Sequence, residues 1–272
     1  MIRIRISAAQ GSTPRDTGAE MVVTPDRLIG TIGGGQAEYM AVDRARQMLA
    51  KGQDQAVMDI PLGPEIGQCC GGRLVLDLTR IDALPAAAPR PQVLVLGAGH
   101  VGRALAHALS LLPLDVVLID QRAAELAQAH PSVATRLTPL PEAQIRAAPP
   151  ASAFVVLTHD HALDFLLVAE ALRRGDAAYV GLIGSDTKRR RFDRFAREQG
   201  LDPAPLTCPI GAGFAADKRP EYIAAFTAAE IAAVLSQALS PAAGAAMGAL
   251  PPASRRTPPP GYLDNEETSC PT

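Results

Sequence analysis

Two adjacent cysteines in a glycine-rich segment carry the most distinctive chemistry of this chain. Cys69 and Cys70 follow Gln68 and precede two glycines. Flanking glycines predict an exposed loop, in which a thiolate can be a soft ligand for a metal–sulfur centre or carry activated sulfur. The alternative is that both cysteines are buried as small apolar residues. Two cysteines in a glycine-rich loop are harder to bury, so the segment predicts a functional thiol.

A second candidate is an anion site made of backbone amides. Gly33, Gly34 and Gly35 directly precede a helical pattern, so that bare backbone and a helix N-terminus are presented together. Arg15, held in a stiff turn by Pro14, could pair with the same anion through its fork of donors. The same residues could instead form a glycine hinge beside a surface arginine. Spacing alone does not decide between these two interpretations.

The nucleotide signal lies in the second half of the chain. An apolar strand runs directly into Gly97-Ala-Gly99-His100-Val-Gly102, which opens an amphipathic helix. In this context the glycines allow a tight turn, the approach of a pyrophosphate, and the packing of helix on strand. Asp120 ends the next apolar strand, where a ribose-binding acid belongs. The pattern predicts NAD(P) or another nucleotide; the alternative is a Rossmann-like topology that keeps its glycines for packing alone.

Two further groups follow predicted strands in the same half. His159 and His161, with Asp164, could bind a metal or polarise a ligand, and a hydrogen-bond network at a helix start fits the same spacing. Ser185 begins another predicted helix, whose amides and Lys188 could hold a second phosphate. The basic run after Ser185 could equally face an acidic partner or solvent.

Hydrophobic periodicity divides the chain into two domains and a tail. Residues 1–82 read as short strands around one helix at 37–49, an α+β pattern. The proline-rich stretch 83–91 is typical of a connector. Residues 92–240 alternate strands with helices, and 241–272 have the composition of a disordered tail. The predicted fold class is α/β: a small N-terminal α+β domain followed by a Rossmann-like doubly wound parallel-sheet domain.

Composition excludes several classes of protein. A net charge of -2 over 272 residues provides no basic surface for nucleic acid. No apolar stretch reaches the roughly 18 residues of a membrane span, and the N-terminus lacks a signal-peptide pattern, so a cytoplasmic protein is expected. Four cysteines, two of them adjacent, make a poor disulfide framework and predict reduced thiols.

Several separate motifs follow one another along the chain: Gly11-Ser-Thr-Pro-Arg15, Gly30-Thr-Ile-Gly-Gly-Gly35 with Glu38, Cys70-Gly-Gly72, the Gly97 turn, Thr158-His-Asp-His161, Gly184-Ser185 with Lys188, Pro209-Ile-Gly211, and Ala229-Glu-Ile231. In this order they resemble the XdhC-type xanthine dehydrogenase accessory proteins. The resemblance covers about residues 7–236, although members usually carry a helical segment before the first strand and this chain begins at the strand.

The resemblance implies an accessory chaperone without turnover of its own. Such a protein binds molybdenum cofactor in its molybdopterin form and holds it while an L-cysteine desulfurase supplies the sulfido ligand. It then delivers the cofactor to apo xanthine dehydrogenase. The rival interpretations are an NAD(P)-dependent oxidoreductase and a nucleotide-sensing regulatory module, and whether the chain forms a homodimer stays open.

On this interpretation each end of the cofactor has its own residues. The cofactor phosphate is expected on the amides of residues 33–35 and on Arg15. The molybdenum is expected beside Cys70, with Cys69 as a second thiol, while Glu38 and Gln68 are placed at the pterin edge.

Overall fold

The computed structural model describes residues 1–63, 71–86, 89–212 and 217–239, the last three of these by backbone alone. Gln68, Cys69, Cys70 and the predicted tail lie outside the described residues. The contacts between residues divide the chain into two units, Met1–Ala88 and Pro89–Thr272. Within the described part, no helix is both long and apolar enough to cross a membrane.

The first domain is a five-stranded antiparallel sheet with one helix. Its strands pair in the order β3-β2-β1-β5-β4. The elements are β1 (Ile2–Gln10), β2 (Glu20–Val23), β3 (Leu28–Gly30), α1 (Gly35–Lys51), β4 (Gln55–Pro61) and β5 (Arg73–Arg80).

Alternation of apolar and polar residues creates the core of this domain. Ile2, Ile4 and Ile6 point to one face of β1, where they are fully buried, and the arginines between them point to the other face. Helix α1 packs on the apolar face through a stripe that includes Ala41 and Met48. This core fixes where the loops at the ends of the strands emerge.

The second domain is a six-stranded parallel sheet. Its strands pair in the order β11-β10-β9-β6-β7-β8. The elements are β6 (Gln92–Leu96), α2 (His100–Ser110), β7 (Asp115–Asp120), α3 (Ala123–Leu126), β8 (Ala134–Leu137), α4 (Pro141–Ala147), β9 (Ala153–Val156), α5 (His161–Arg174), β10 (Tyr179–Leu182), α6 (Asp186–Glu198), β11 (Leu206–Thr207) and α7 (Pro220–Leu239).

Helices cover both faces of this sheet. Leu105 of α2, Leu126 of α3 and Ile231 of α7 pack in one core, and the helices α4, α5 and α6 share a second core centred on Phe154. Counted from β6, the strand order is 3-2-1-4-5-6 with a switch point between β6 and β9. The predicted Rossmann-like doubly wound domain is confirmed.

Some element boundaries differ from the predictions. The helix predicted at 37–49 spans Gly35–Lys51, and β3 ends at Gly30, whose φ of +83° takes the backbone out of the extended region. The edge strands β8 and β11 were not predicted. All four residues of β8 are exposed and β11 has only two residues, so neither carries a hydrophobic pattern.

Candidate functional site

The glycine-rich turn of the first domain lies against the loop that carries Arg15. A Cβ atom on Gly33 would lie 2.6 Å from Cβ of Pro14 and 3.3 Å from Cγ of Arg15, and Gly33 adopts a φ of +122°. Only glycine allows this approach, because any side chain would push the two loops apart. The structure therefore places the exposed Arg15 beside the predicted anion turn.

The carboxylate of Glu38 already occupies the amides of this turn. Its Oε2 accepts hydrogen bonds from the amides of Ile32 (2.9 Å) and Gly34 (3.0 Å) and from Oγ1 of Thr31 (2.6 Å). Burial opposes ionisation of Glu38, but these hydrogen bonds outweigh it and hold the pKa of the carboxyl below its usual value. A phosphate on the same amides, or a pterin edge on Glu38, would have to compete with these bonds.

A third segment joins the same loop region. Gly71 forms an isolated parallel bridge with Ser12, and its amide donates to the carbonyl of Leu62 at 2.9 Å. A Cβ atom on Gly72 would lie only 2.2 Å from the carbonyl oxygen of Ser12. Backbone at 71–72 thus packs directly on the loop that precedes Arg15. Whether the adjacent thiols share this place stays a prediction, because Cys69 and Cys70 lie outside the described residues.

The turn from Gly97 to Gly102, the predicted nucleotide turn, contains three glycines with different surroundings. A Cβ atom on Gly97 (φ +125°) would lie 2.4 Å from the carbonyl oxygen of Leu157, and one on Gly102 would lie 1.9 Å from the carbonyl oxygen of Gly97. Gly99 has open space where a Cβ would lie. His100 is exposed at the first position of α2. Gly97 and Gly102 therefore serve packing, whereas Gly99 leaves backbone open to a ligand.

The carboxylate of Asp120 is hydrogen-bonded to the nucleotide turn and to Arg122. Its Oδ2 accepts from the amide of Ala98 (2.6 Å) and from Nη2 of Arg122 (2.9 Å), while Oδ1 accepts from the amide and Nε of Arg122 (both 2.9 Å). Burial works against ionisation, yet the bonds from Arg122 and Ala98 lower the pKa of Asp120 to about 2. Each oxygen accepts two hydrogen bonds, so a ribose hydroxyl would have to displace one of them.

At the end of β9, the structure matches the hydrogen-bond interpretation of the histidine motif. Asp160 is the N-cap of α5 and accepts from the amides of Ala162 (2.8 Å) and Leu163 (3.3 Å). His159 is exposed, and Nδ1 of His161 lies 3.9 Å from Oδ2 of Asp164. Among the described residues, no group of three or more His, Cys, Asp or Glu side chains is arranged to hold a metal ion.

The fully buried Asp164 links two helix starts. Its Oδ1 accepts from the amide (2.9 Å) and Oγ1 (2.7 Å) of Thr158, and its Oδ2 lies 2.5 Å from Nζ of Lys188. Ser185 is the N-cap of α6, and its Oγ accepts from the amide of Lys188. The Asp164–Lys188 pair was not predicted. The two residues are 24 positions apart, and only the parallel pairing of β9 with β10 brings them together.

The fold and these turns define a class: a Rossmann-type domain with a glycine-rich turn at its switch point, preceded along the chain by a small antiparallel-sheet domain. The family model described as the XdhC Rossmann domain matches residues 93–231, and the model of the XdhC and CoxI family matches residues 2–60. The chain belongs to the XdhC family.

A known protein and a solved structure are also similar to this chain. The chain is 28% identical over 240 residues to "Uncharacterized protein YqeB" of Escherichia coli strain K12, a match that covers 84% of this chain and 42% of that protein. The chain thus spans less than half the length of this relative. A crystal structure from Bacillus halodurans, described as a xanthine dehydrogenase, has a TM-score of 0.74 at 17% identity and covers 89% of this chain and 94% of its own. That likeness shows a shared fold.

Proposed function

We propose that this chain is an accessory protein in the maturation of xanthine dehydrogenase. In this role it binds molybdenum cofactor, keeps it while an L-cysteine desulfurase supplies the terminal sulfido ligand, and delivers it to the apo-enzyme. Membership of the XdhC family supports the maturation role. Cofactor binding, the desulfurase and the delivery step are the finer parts of the proposal.

One observation carries the cofactor part: three segments of the first domain converge on one region. The Pro14 ring lies against Gly33, and Gly71 is bridged to Ser12. This convergence puts an exposed cation, a glycine turn and the backbone that follows the cysteine pair in sequence in one loop cluster. A phosphate-bearing group with a thiophilic metal at its other end requires that combination.

The residues have distinct roles in this proposal. Arg15 holds the cofactor phosphate, because its guanidinium is exposed beside the turn. Glu38 shapes the turn by accepting hydrogen bonds from its backbone amides, and it contacts the pterin only if these hydrogen bonds are broken. Cys70 binds the metal end, with Cys69 as a second thiol and Gln68 at the pterin edge. When bound, the cofactor supplies the molybdenum centre that receives sulfur; the protein supplies binding and orientation.

The test compares Cys70→Ala with Cys208→Ala, purified from cells that make the cofactor. Cys208 is a matched control: it lies in the second domain, and burial raises the pKa of its thiol to about 11, which disfavours a thiolate. We expect Cys70→Ala to copurify with at least tenfold less molybdenum and pterin than the parent and to stop activating apo xanthine dehydrogenase. Cys208→Ala should retain the parent's cofactor content and its activation of the apo-enzyme. Equal molybdenum in the two variants, with unchanged circular dichroism, would rule out the thiol role.

We further propose that the second domain binds NAD(P) or another nucleotide at the turn between Gly97 and Gly102. Support comes from the 3-2-1-4-5-6 strand order and from the open space at Gly99. The turn that contains Gly99 lies at the edge where open α/β sheets bind ligands. A redox role for the nucleotide is the rival function. Purified protein that oxidises NADH only when a substrate is added would favour that rival over the chaperone.

A further inference from the structure

A cavity of the Rossmann domain lies close to the turn from Gly97 to Gly102. It has a volume of about 580 Å³ and opens between the first turns of α5 and α6, at the carboxyl ends of β9 and β10. This volume is in the range of small-molecule sites. None of the residues from Gly97 to Gly102 lines it. The turn therefore forms no wall of the cavity, although Thr158 borders both this cavity and a smaller pocket lined by Gly97 and Asp120.

The polar wall of the cavity is centred on a lysine in a fixed position. Nζ of Lys188 lies 2.5 Å from Oδ2 of Asp164, which is itself fully buried and accepts two further bonds from Thr158. The stem of Lys188 crosses Gly184 so closely that a Cβ there would lie 2.6 Å from the lysine Cδ. Only 12% of the Lys188 side chain is exposed, and it faces the cavity. Within the described part of the chain Asp164 is its one acceptor, which leaves further ammonium donors for a ligand.

The remaining walls add positive charge and an apolar surface. Arg191, one turn after Lys188, lines the cavity and has no carboxylate partner among the described residues. His161 and the hydroxyl of Thr187 complete the polar side, while Phe165 and Ile183 provide the apolar side. Since Asp164 balances the charge of Lys188, Arg191 leaves the cavity with a net positive charge.

We infer that this cavity binds a small phosphorylated molecule with an apolar or aromatic body. A phosphate monoester presents three oxygens, which match the separate donors of Lys188, Arg191 and Thr187 better than the two oxygens of a carboxylate do. The body of the ligand then covers Phe165 and Ile183. This inference goes beyond the proposed function, because it requires neither the cysteine pair and the glycine turn of the first domain nor a nucleotide on the turn from Gly97 to Gly102.

The experiment titrates the full chain with phenyl phosphate, inorganic phosphate and benzoate by calorimetry, with amide chemical shifts to locate the site. Phenyl phosphate should bind saturably, at least fivefold more tightly than either of the other two probes, and should shift the amides of Ser185 and Lys188. No saturation by phenyl phosphate, or shifts confined to other regions, would overturn the inference. Equal affinity for phenyl phosphate and inorganic phosphate would overturn the apolar half of the site.

Two substitutions of exposed cavity residues and one control test the site without removing buried side chains. Arg191→Glu removes the free cation and Ala162→Trp fills the cavity mouth, whereas Arg194→Glu changes an exposed arginine of the same helix that does not line the cavity. Phenyl phosphate affinity should fall at least tenfold in the first two variants and less than twofold in the third. Equal affinity in all three would contradict the assignment. Because Cys70→Ala should leave this affinity unchanged, failure of the cofactor proposal and failure of this one are distinguishable.

Discussion

At the scale of single residues, the acidic side chains near the two candidate sites organise loops. Glu38 and Asp164 each accept hydrogen bonds from backbone amides and side chains of their own domain, and so does Asp120. A carboxylate that accepts several such bonds is fixed in position. These residues therefore act on a ligand mainly through the backbone that they hold in place.

The substitution Asp120→Asn tests this role. Asparagine puts an amide donor where Ala98 and Arg122 need acceptors, so we expect the free energy of unfolding at pH 7 to fall by on the order of 1–2 kcal/mol. Urea unfolding of the full chain measures the change. The exposed Asp82→Asn serves as control and should differ from the parent by less than about 0.5 kcal/mol.

The same carboxylate sets a pH dependence of known sign. The pKa of Asp120 is lowered from 3.8 to about 2 on folding, so its contribution to stability is complete above about pH 4. That contribution disappears as the pH falls from about 4 towards 2. The stability difference between parent and Asp120→Asn should accordingly be constant from pH 7 to 5 and shrink below pH 4. A difference that stays constant down to pH 3 would contradict the assigned pKa.

At the scale of elements, the strand–turn–helix unit at β6 and α2 shows that one motif contains two kinds of glycine. A Cβ atom added at Gly97 or Gly102 would overlap neighbouring backbone, whereas one added at Gly99 would lie in open space. Backbone cannot move aside as a flexible side chain can, so Gly97 and Gly102 tolerate no methyl group. The motif thus separates a packing requirement from a ligand requirement.

A pair of alanine substitutions should separate these requirements. Gly102→Ala places a methyl group 1.9 Å from the carbonyl oxygen of Gly97, and should destabilise the second domain by more than about 2 kcal/mol. Gly99→Ala should change stability by less than about 1 kcal/mol but weaken NADH binding at least tenfold, because its methyl group occupies the approach to the backbone. Thermal unfolding and fluorescence titration with NADH measure the two effects. Unaltered NADH affinity in Gly99→Ala would contradict the proposed nucleotide site.

At the scale of the whole molecule, each core that the described residues form draws its residues from one unit alone. The core of the first domain is made of residues from Ile2 to Leu78, and the two cores of the second domain begin at Val93 and Leu94. Each unit thus has the buried apolar surface that an independent domain requires.

Core truncations in the two units should consequently act separately. Ile4→Ala and Phe154→Ala each remove a fully buried side chain and should cost about 2–5 kcal/mol. In hydrogen exchange followed by mass spectrometry, Ile4→Ala should deprotect only peptides of β1 to β5, and Phe154→Ala only peptides of β6 to β11. Deprotection of the parallel sheet by Ile4→Ala would show that the two cores are coupled.

The sequence by itself determined the fold class and the positions of the glycine turns. The isoleucines of β1 alternate with a period of two residues, and the strand before Gly97 is a short apolar run. Both are local patterns, so they can be recognised without knowing which strand pairs with them. Strands such as β8, whose residues are all exposed, carry no such pattern and were missed.

Only the tertiary structure decided which of the predicted residues are already engaged. It placed Pro14 on Gly33, filled the amides of the glycine turn with Glu38, paired Arg122 with Asp120, and joined Asp164 to Lys188 beneath a cavity. A hydrogen bond depends on distance in space, whereas a sequence records only distance along the chain. Contacts across 24 residues therefore become visible only when parallel strands bring their carboxyl ends to one edge of the sheet.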